Sequence, residues 1–195
     1  MAEEVVPPAV RLVRDFVNTY EPQTDDESLG SPDALRSWLA AQHLLPSDAA
    51  VEEADLAAAR RVREGLRNVL LGHAGHDPDP EAVEALRASL ADLPVRLDFT
   101  TDGYRLISTR ADPVGQALGQ VLDAIRQSSQ DGTWPRLKVC ARDTCRWAFY
   151  DASRNQVRRW CSMAGCGNYV KMRARAQRGK GRTQDTSAAR PPRPA

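Results

Sequence analysis

Residues 137–168, LKVCARDTCRWAFYDASRNQVRRWCSMAGCGN, hold all four cysteines of the 195-residue chain. Cys140, Cys145, Cys161 and Cys166 follow the spacing C-x4-C-x15-C-x4-C. Each short pair can fill two adjacent corners of a tetrahedron, and the longer loop brings the pairs together on one metal ion. Thiolates favour zinc or iron, and a small structural module takes zinc. Four thiolates leave no open position for water, which argues against hydrolysis at the metal. An iron centre or a redox disulfide pair is the alternative. Leu137 and Val139 lead into the first pair and Trp147, Phe149 and Tyr150 lead out, so a hairpin is predicted there. The second pair straddles the start of a helix predicted over 163–177. Hairpin and helix around four thiolates make a treble-clef-like module. One structural Zn²⁺ would supply folding energy that so short a segment cannot draw from its own core.

Outward from this stretch the charge changes sign. Residues 1–133 carry 12 Lys and Arg against 23 Asp and Glu, net −11, whereas residues 134–195 carry 15 against 3, net +12. Thirteen of those cations lie between Trp134 and Arg182, from Arg136 and Lys138 onward, opposed only by Asp143 and Asp151. Arg154, Arg158 and Arg159 lie in the loop between the cysteine pairs. Lys171, Arg175 and Arg178 recur at helical spacing, with Arg173 on a neighbouring face. Arg forks onto phosphate and pairs bidentate with guanine, so this pattern points to a polyanion, with double-stranded DNA as the expected partner. Charge alone does not separate DNA from structured RNA, from an acidic protein partner, or from docking on the acidic body. Trp147, Phe149 and Trp160 either stack on bases or form the module's core.

Toward the N-terminus the periodicity becomes mainly helical. Helices are predicted over 9–20, from an N-cap at Ser31 with Pro32 at the first position, from Pro46-Ser47-Asp48 through Leu70, and over 81–91. Val95, Leu97 and Phe99 alternate, and the turn signal Thr101-Asp102-Gly103 precedes Tyr104 and Leu106, which predicts a β-hairpin. A further helix is predicted over 113–127, and the small polar residues 128–133 read as a linker. The fold class is therefore α+β: a mostly helical N-terminal domain with a hairpin (1–128), the zinc module (134–178), and a basic tail read as disordered (179–195). Hydrophobic residues make up 42%, enough for a core. No apolar run is long enough to cross a bilayer, and the acidic start MAEE lacks the order of a signal peptide, so a soluble cytoplasmic protein is expected. His73 and His76 flank Gly75 in what reads as a solvated loop, and His43 carries no pattern. No phosphate-binding glycine loop, nucleophile elbow or H-E-x-x-H occurs, and no catalytic role is expected.

Residues 137–175 also resemble the CGNR zinc finger family. The likeness rests on Cys140, Cys145, FYD-x-SRN at 149–155, Arg159-Trp160-Cys161-Ser162-Met163 and Cys166-Gly167-Asn168. A weaker likeness to its partner, the ABATE domain, rests on Asp15-Phe16-Val17-Asn18-Thr19, Leu35-x-x-Trp38-Leu39 and Val62-Arg63-Glu64. The resemblance implies a stress-induced bacterial transcription regulator with zinc at the four cysteines and DNA bound by the finger, Asn168 and Tyr169 included. Tyr169 stands where the family name has Arg, and a phenol cannot fork onto phosphate or carry a cation. The resemblance also draws attention to Asn18, Thr19 and Arg63 as residues that could converge on a small-molecule effector. The alternative is a helix cap for Asn18 and a surface position for Arg63. The N-terminal domain is thus expected to sense an effector or to form a homodimer.

Overall fold

Ser31 opens a helix as its sequence suggests: its Oγ accepts the Ala34 N–H at 3.2 Å, and Pro32 takes the first helical position. That helix, α2 (Pro32–Ala41), belongs to a computed structural model that describes residues 5–185, with side chains as far as residue 177. Before it come α1 (Pro8–Val17) and the short antiparallel strands β1 (Tyr20–Glu21) and β2 (Asp26–Glu27). After it come α3 (Glu53–His73), α4 (Pro80–Ala91), the hairpin β3 (Val95–Thr100) and β4 (Gly103–Ser108), and α5 (Pro113–Gln130). A second hairpin, β5 (Leu137–Val139) and β6 (Ala148–Tyr150), and α6 (Asn168–Asp185) complete the chain. Helices mixed with small antiparallel hairpins make this an α+β fold. No helix among the described residues is long and apolar enough to cross a membrane.

The chain divides into two compact units after Cys161. In the larger unit α1, α2, α3 and α5 meet on Val13, Phe16, Leu35, Leu39, Val62, Leu70, Leu118 and Val121, each at most 1% exposed. Leu137, Val139 and Ala148 of the second hairpin belong to the same core, again at most 1% exposed. Strands of three residues cannot enclose a core of their own, so this hairpin borrows the helical one. Residues 128–133 accordingly do not form a free linker. Helix α5 runs through Gln130, Ser128 is fully buried, and its carbonyl accepts the Thr133 N–H at 2.8 Å across Gly132, whose φ is 66°.

Two other boundaries differ from the sequence pattern. Pro46-Ser47-Asp48 does not start α3; it closes a turn in which Ala49 N–H reaches the Pro46 carbonyl at 3.1 Å. The helix starts at Glu53, where the Asp55 carboxylate takes the Glu52 N–H at 3.0 Å. In the smaller unit, α6 runs from Asn168 to Asp185 and so takes in the first residues of the stretch read as a disordered tail; residues 186–195 lie outside the described residues. Gly119 lets α5 approach β4, since a Cβ there would lie 2.9 Å from the Ser108 Cβ.

Candidate metal centre and basic surface

Cys140 leaves β5 with its N–H on the Trp147 carbonyl at 2.9 Å, one step past the ladder. The chain then turns: Cys145 N–H bonds the Arg142 carbonyl at 3.0 Å, and Arg146 takes a left-handed φ of 49° to re-enter β6. Ala141 N–H reaches the Arg159 carbonyl at 2.8 Å, which draws the end of the long loop, and with it Cys161, against the first pair. In the smaller unit Ser162 caps a short π-helical turn, Met163–Gly167, through its Oγ on Gly165 N–H at 3.1 Å; the turn carries Cys166.

The four sulfurs lie within 4.8 Å of one another, and the Cys145 and Cys161 sulfurs are 3.7 Å apart. A tetrahedral zinc with Zn–S bonds of about 2.3 Å requires sulfur–sulfur edges of about 3.8 Å. The cluster therefore fits one structural zinc, held by Cys140, Cys145, Cys161 and Cys166. Sulfurs this close cannot all ionise unaided. Hydrogen bonds from the Cys145 and Cys161 thiols hold Cys140 down to about 2, and the same sharing pushes Cys145 up to about 12 and Cys161 upward. A divalent cation removes that conflict by charge compensation.

The cysteine hairpin also holds an ion pair that the sequence pattern hid. Lys138, counted among the basic surface residues, is 4% exposed, and its Nζ meets the fully buried Asp151 carboxylate at 2.8 Å. The ammonium also donates to the carbonyls of Gln156 and Arg158. Asp151 Oδ1 accepts from the Ser153 N–H and hydroxyl, and Oδ2 accepts the Arg158 N–H at 2.9 Å. Burial opposes its charge, yet the hydrogen bonds from Lys138, Ser153 and Arg158 outweigh it and hold its pKa below the ordinary carboxylate value. One carboxylate thus fixes the whole 151–158 loop.

The residues expected to meet nucleic acid fall into two groups. Arg154 and Arg159 in the larger unit are exposed, and so are Asn168, Tyr169, Lys171, Arg173 and Arg175 in the smaller. Arg178 lies beyond the described side chains. Arg158 is different: half-buried, it donates to the Cys161 carbonyl at 3.0 Å and lies 5.1 Å above the Phe149 ring. Phe149 is itself 6% exposed, a core residue. Arg159 lies over Trp160 at 5.9 Å and within 3.3 Å of His76 Nε2. His73 is no loop residue. It ends α3, half-buried, and its Nδ1 donates to the Leu137 carbonyl at 2.8 Å.

Thr19 and Arg63 do converge, but on each other, and it is Arg63 that binds Glu27. Arg63, only 3% exposed, forks onto both Glu27 oxygens at 2.7 Å and also reaches Thr19 Oγ1 and Glu64. Asn18 turns the other way. Its amide donates to the Ala148 carbonyl at 2.9 Å and accepts the Ala148 N–H at 2.8 Å, satisfying the outer edge of β6 from the end of α1. Four residues along α3 from Arg63, the buried Arg67 donates to the carbonyls of Val17, Tyr20 and Arg146, which ties α1 to the cysteine hairpin; the sequence reading missed it. Beside Asn18 a cavity of about 490 Å³ opens between α1 and β6, lined by Arg14, Asp15, Trp147, Tyr150, Arg158 and Cys161 among others.

Two family models match the chain. The ABATE model, described as "Putative stress-induced transcription regulator", matches residues 10–147, and the CGNR zinc finger model matches residues 136–179. The matches overlap on residues 136–147, strand β5 and the turn after it, which carry core residues Leu137 and Val139 and the first cysteine pair. No curated protein matches the chain.

Proposed function

Because this chain belongs to the ABATE family and carries a CGNR zinc finger, we propose that it is a transcription regulator that grips double-stranded DNA through that finger. The observation that carries the reading is the exposure of Arg154 and Arg159 on the inter-pair loop and of Lys171, Arg173 and Arg175 on α6. Lys138 and Asp151 neutralise each other inside the fold, so they subtract nothing from this display. The zinc and its four thiolates contribute a formal charge of about −2, far less than the cations around them. Tyr169, 40% exposed, offers a phenol at the family's Arg position, which weakens phosphate contact there without touching the metal. The reading assigns the chain no catalytic step and a cytoplasmic place beside the nucleic acid.

Neutralising Arg154, Arg159 and Arg175 together to Gln tests it, with Arg158 left in place because it supports the Cys161 carbonyl. Duplex affinity should fall by at least tenfold and the salt slope by up to about 3, since each lost phosphate contact removes about 0.9. Zinc content and thermal midpoint should stay at wild-type values. Unchanged duplex retention would favour an adaptor whose basic face meets an acidic protein, and preferential loss of structured RNA would favour an RNA-binding module.

The larger unit then takes the effector role. Arg63 is engaged with Glu27 and Thr19 with Arg63 and the Phe16 carbonyl, so an effector would enter the cavity beside Asn18, between two Arg side chains and the Trp147 and Tyr150 rings. Metabolites that raise the thermal midpoint of the wild-type chain should leave that of Val6→Trp, which fills the cavity wall, unmoved. An equal shift in both proteins would put the effector elsewhere.

A further inference from the structure

Among the described residues, strand β3 pairs with β4 alone. The phase of that ladder is set at its base, where Thr109 N–H bonds the Pro94 carbonyl at 2.9 Å. Antiparallel pairs alternate between hydrogen-bonded and open, so Arg96, Asp98 and Thr100 bond to β4. The N–H and C=O groups of Val95, Leu97 and Phe99 therefore point away from it. The outer edge of β4 follows the same phase and is closed, since Asp123 Oδ1 takes the Leu106 N–H at 2.7 Å. No described residue closes the edge of β3.

The side chains on that edge are apolar and exposed. Val95 is 37%, Leu97 53% and Phe99 79% exposed, beside Tyr104 at 39%. On the opposite face Arg96 makes no polar contact among the described side chains, while Asp98 pairs with Arg105 at 2.8 Å. Open edges of this kind recruit another strand unless they are guarded by charge, proline or a bulge. A lone two-stranded sheet also gains from being extended.

We propose that β3 pairs antiparallel with β3 of a second copy of this chain, about a two-fold axis at Leu97. Only registers that bring outward-pointing residues together can form ladder bonds. Three such registers give good overlap, centred on residue 96, 97 or 98. The first sets Arg96 against Arg96 of the second copy, and the last sets Asp98 against Asp98; like charges directly opposed are destabilising. The register centred on Leu97 sets Arg96 against Asp98 of the second copy, twice. On the other face it packs Val95 on Phe99 and Leu97 on Leu97. Sequence, ladder phase and charge all select one arrangement, a four-stranded sheet ordered β4-β3-β3-β4 with an unbroken apolar row. The pairing stands whether or not the chain binds DNA.

Sedimentation of the full chain tests it by charge exchange. Wild type should sediment as a dimer. Arg96→Asp alone and Asp98→Arg alone should each dissociate, the dissociation constant rising about tenfold or more, because each sets like charges opposite one another. An equimolar mixture of the two variants should dimerise again, since every 96–98 pair is then of opposite sign. Leu97→Pro, whose lost N–H points away from β4, should give a monomer with an unchanged far-ultraviolet spectrum. A monomeric wild type at its highest soluble concentration, single variants as dimeric as wild type, or a mixture that gains nothing would each overturn the pairing.

Discussion

Replacing Cys161 with Ser is expected to release the zinc and to lower the stability of the helical unit, not only of the finger. Cys161 is the last residue of the larger unit and one of four sulfurs within 4.8 Å. A hydroxyl is a poor zinc ligand beside three thiolates, so zinc content should fall from one per chain toward zero. In isolated zinc modules the metal contributes on the order of 10–16 kcal/mol, comparable to the whole stability of an ordinary domain. Here the loss propagates, because Leu137, Val139 and Ala148 of the metal-bearing hairpin are packed in the core of α1, α3 and α5. Calorimetry should show the main transition of Cys161→Ser shifted down by well over 10 °C, by the midpoint scaling for a chain of this size. A normal main transition in zinc-free protein would mean that the hairpin is held by its apolar residues alone.

Asp151→Asn is expected to have the second-largest effect, although residue 151 is not a metal ligand. The change leaves the Lys138 ammonium at 4% exposure with only carbonyls around it. Removing one partner of a buried pair costs about 3–5 kcal/mol, which corresponds to roughly 6–20 °C in midpoint. The effect has a pH signature. The folded pKa of Asp151 lies below its unfolded value, so the pair's contribution is full above the ordinary carboxylate pKa. It is lost as pH falls through the folded pKa. The gap between wild type and Asp151→Asn should therefore be constant near neutrality and close in acid. The double variant Lys138→Met, Asp151→Leu should recover part of the loss, because an apolar pair needs no charge compensation. Recovery stays partial, since the Arg158 and Ser153 N–H groups lose their acceptor. A fully exposed Lys138 would instead make both single changes nearly neutral.

The metal site was legible because it is local: two short cysteine spacings and a loop state the ligand set without any tertiary information. The hairpin at 95–108 and the Ser31 cap were legible for the same reason. What the sequence hid depends on partners far along the chain. Lys138 sits in a three-residue strand buried throughout, too short for alternation to reveal which face it takes. Its partner Asp151 was visible only as a minority charge in a basic stretch. Arg63 and Arg67 lie beside the apolar stripe of α3, and only the structure shows Glu27, and the carbonyls of Val17 and Arg146, waiting for them. Asn18 read as a helix cap and does end α1 as its C-cap; what stayed hidden is the partner of its side chain, the backbone of Ala148, 130 residues on. Pro46-Ser47-Asp48 carried a sound helix-start signal that the chain spends on a turn. The alternation in β3 showed two faces but not that the apolar one stays outside.

The central proposal is that one zinc, held by Cys140, Cys145, Cys161 and Cys166, makes the basic segment a DNA-binding platform. Its most direct test is a chelator titration in which zinc release and retention of duplex DNA are followed in the same sample. The account predicts one zinc per chain and a loss of retention in step with its release, reversed on adding zinc back. Full retention of DNA by completely demetallated protein, or protein isolated without zinc and with those sulfurs joined in disulfides, would contradict it.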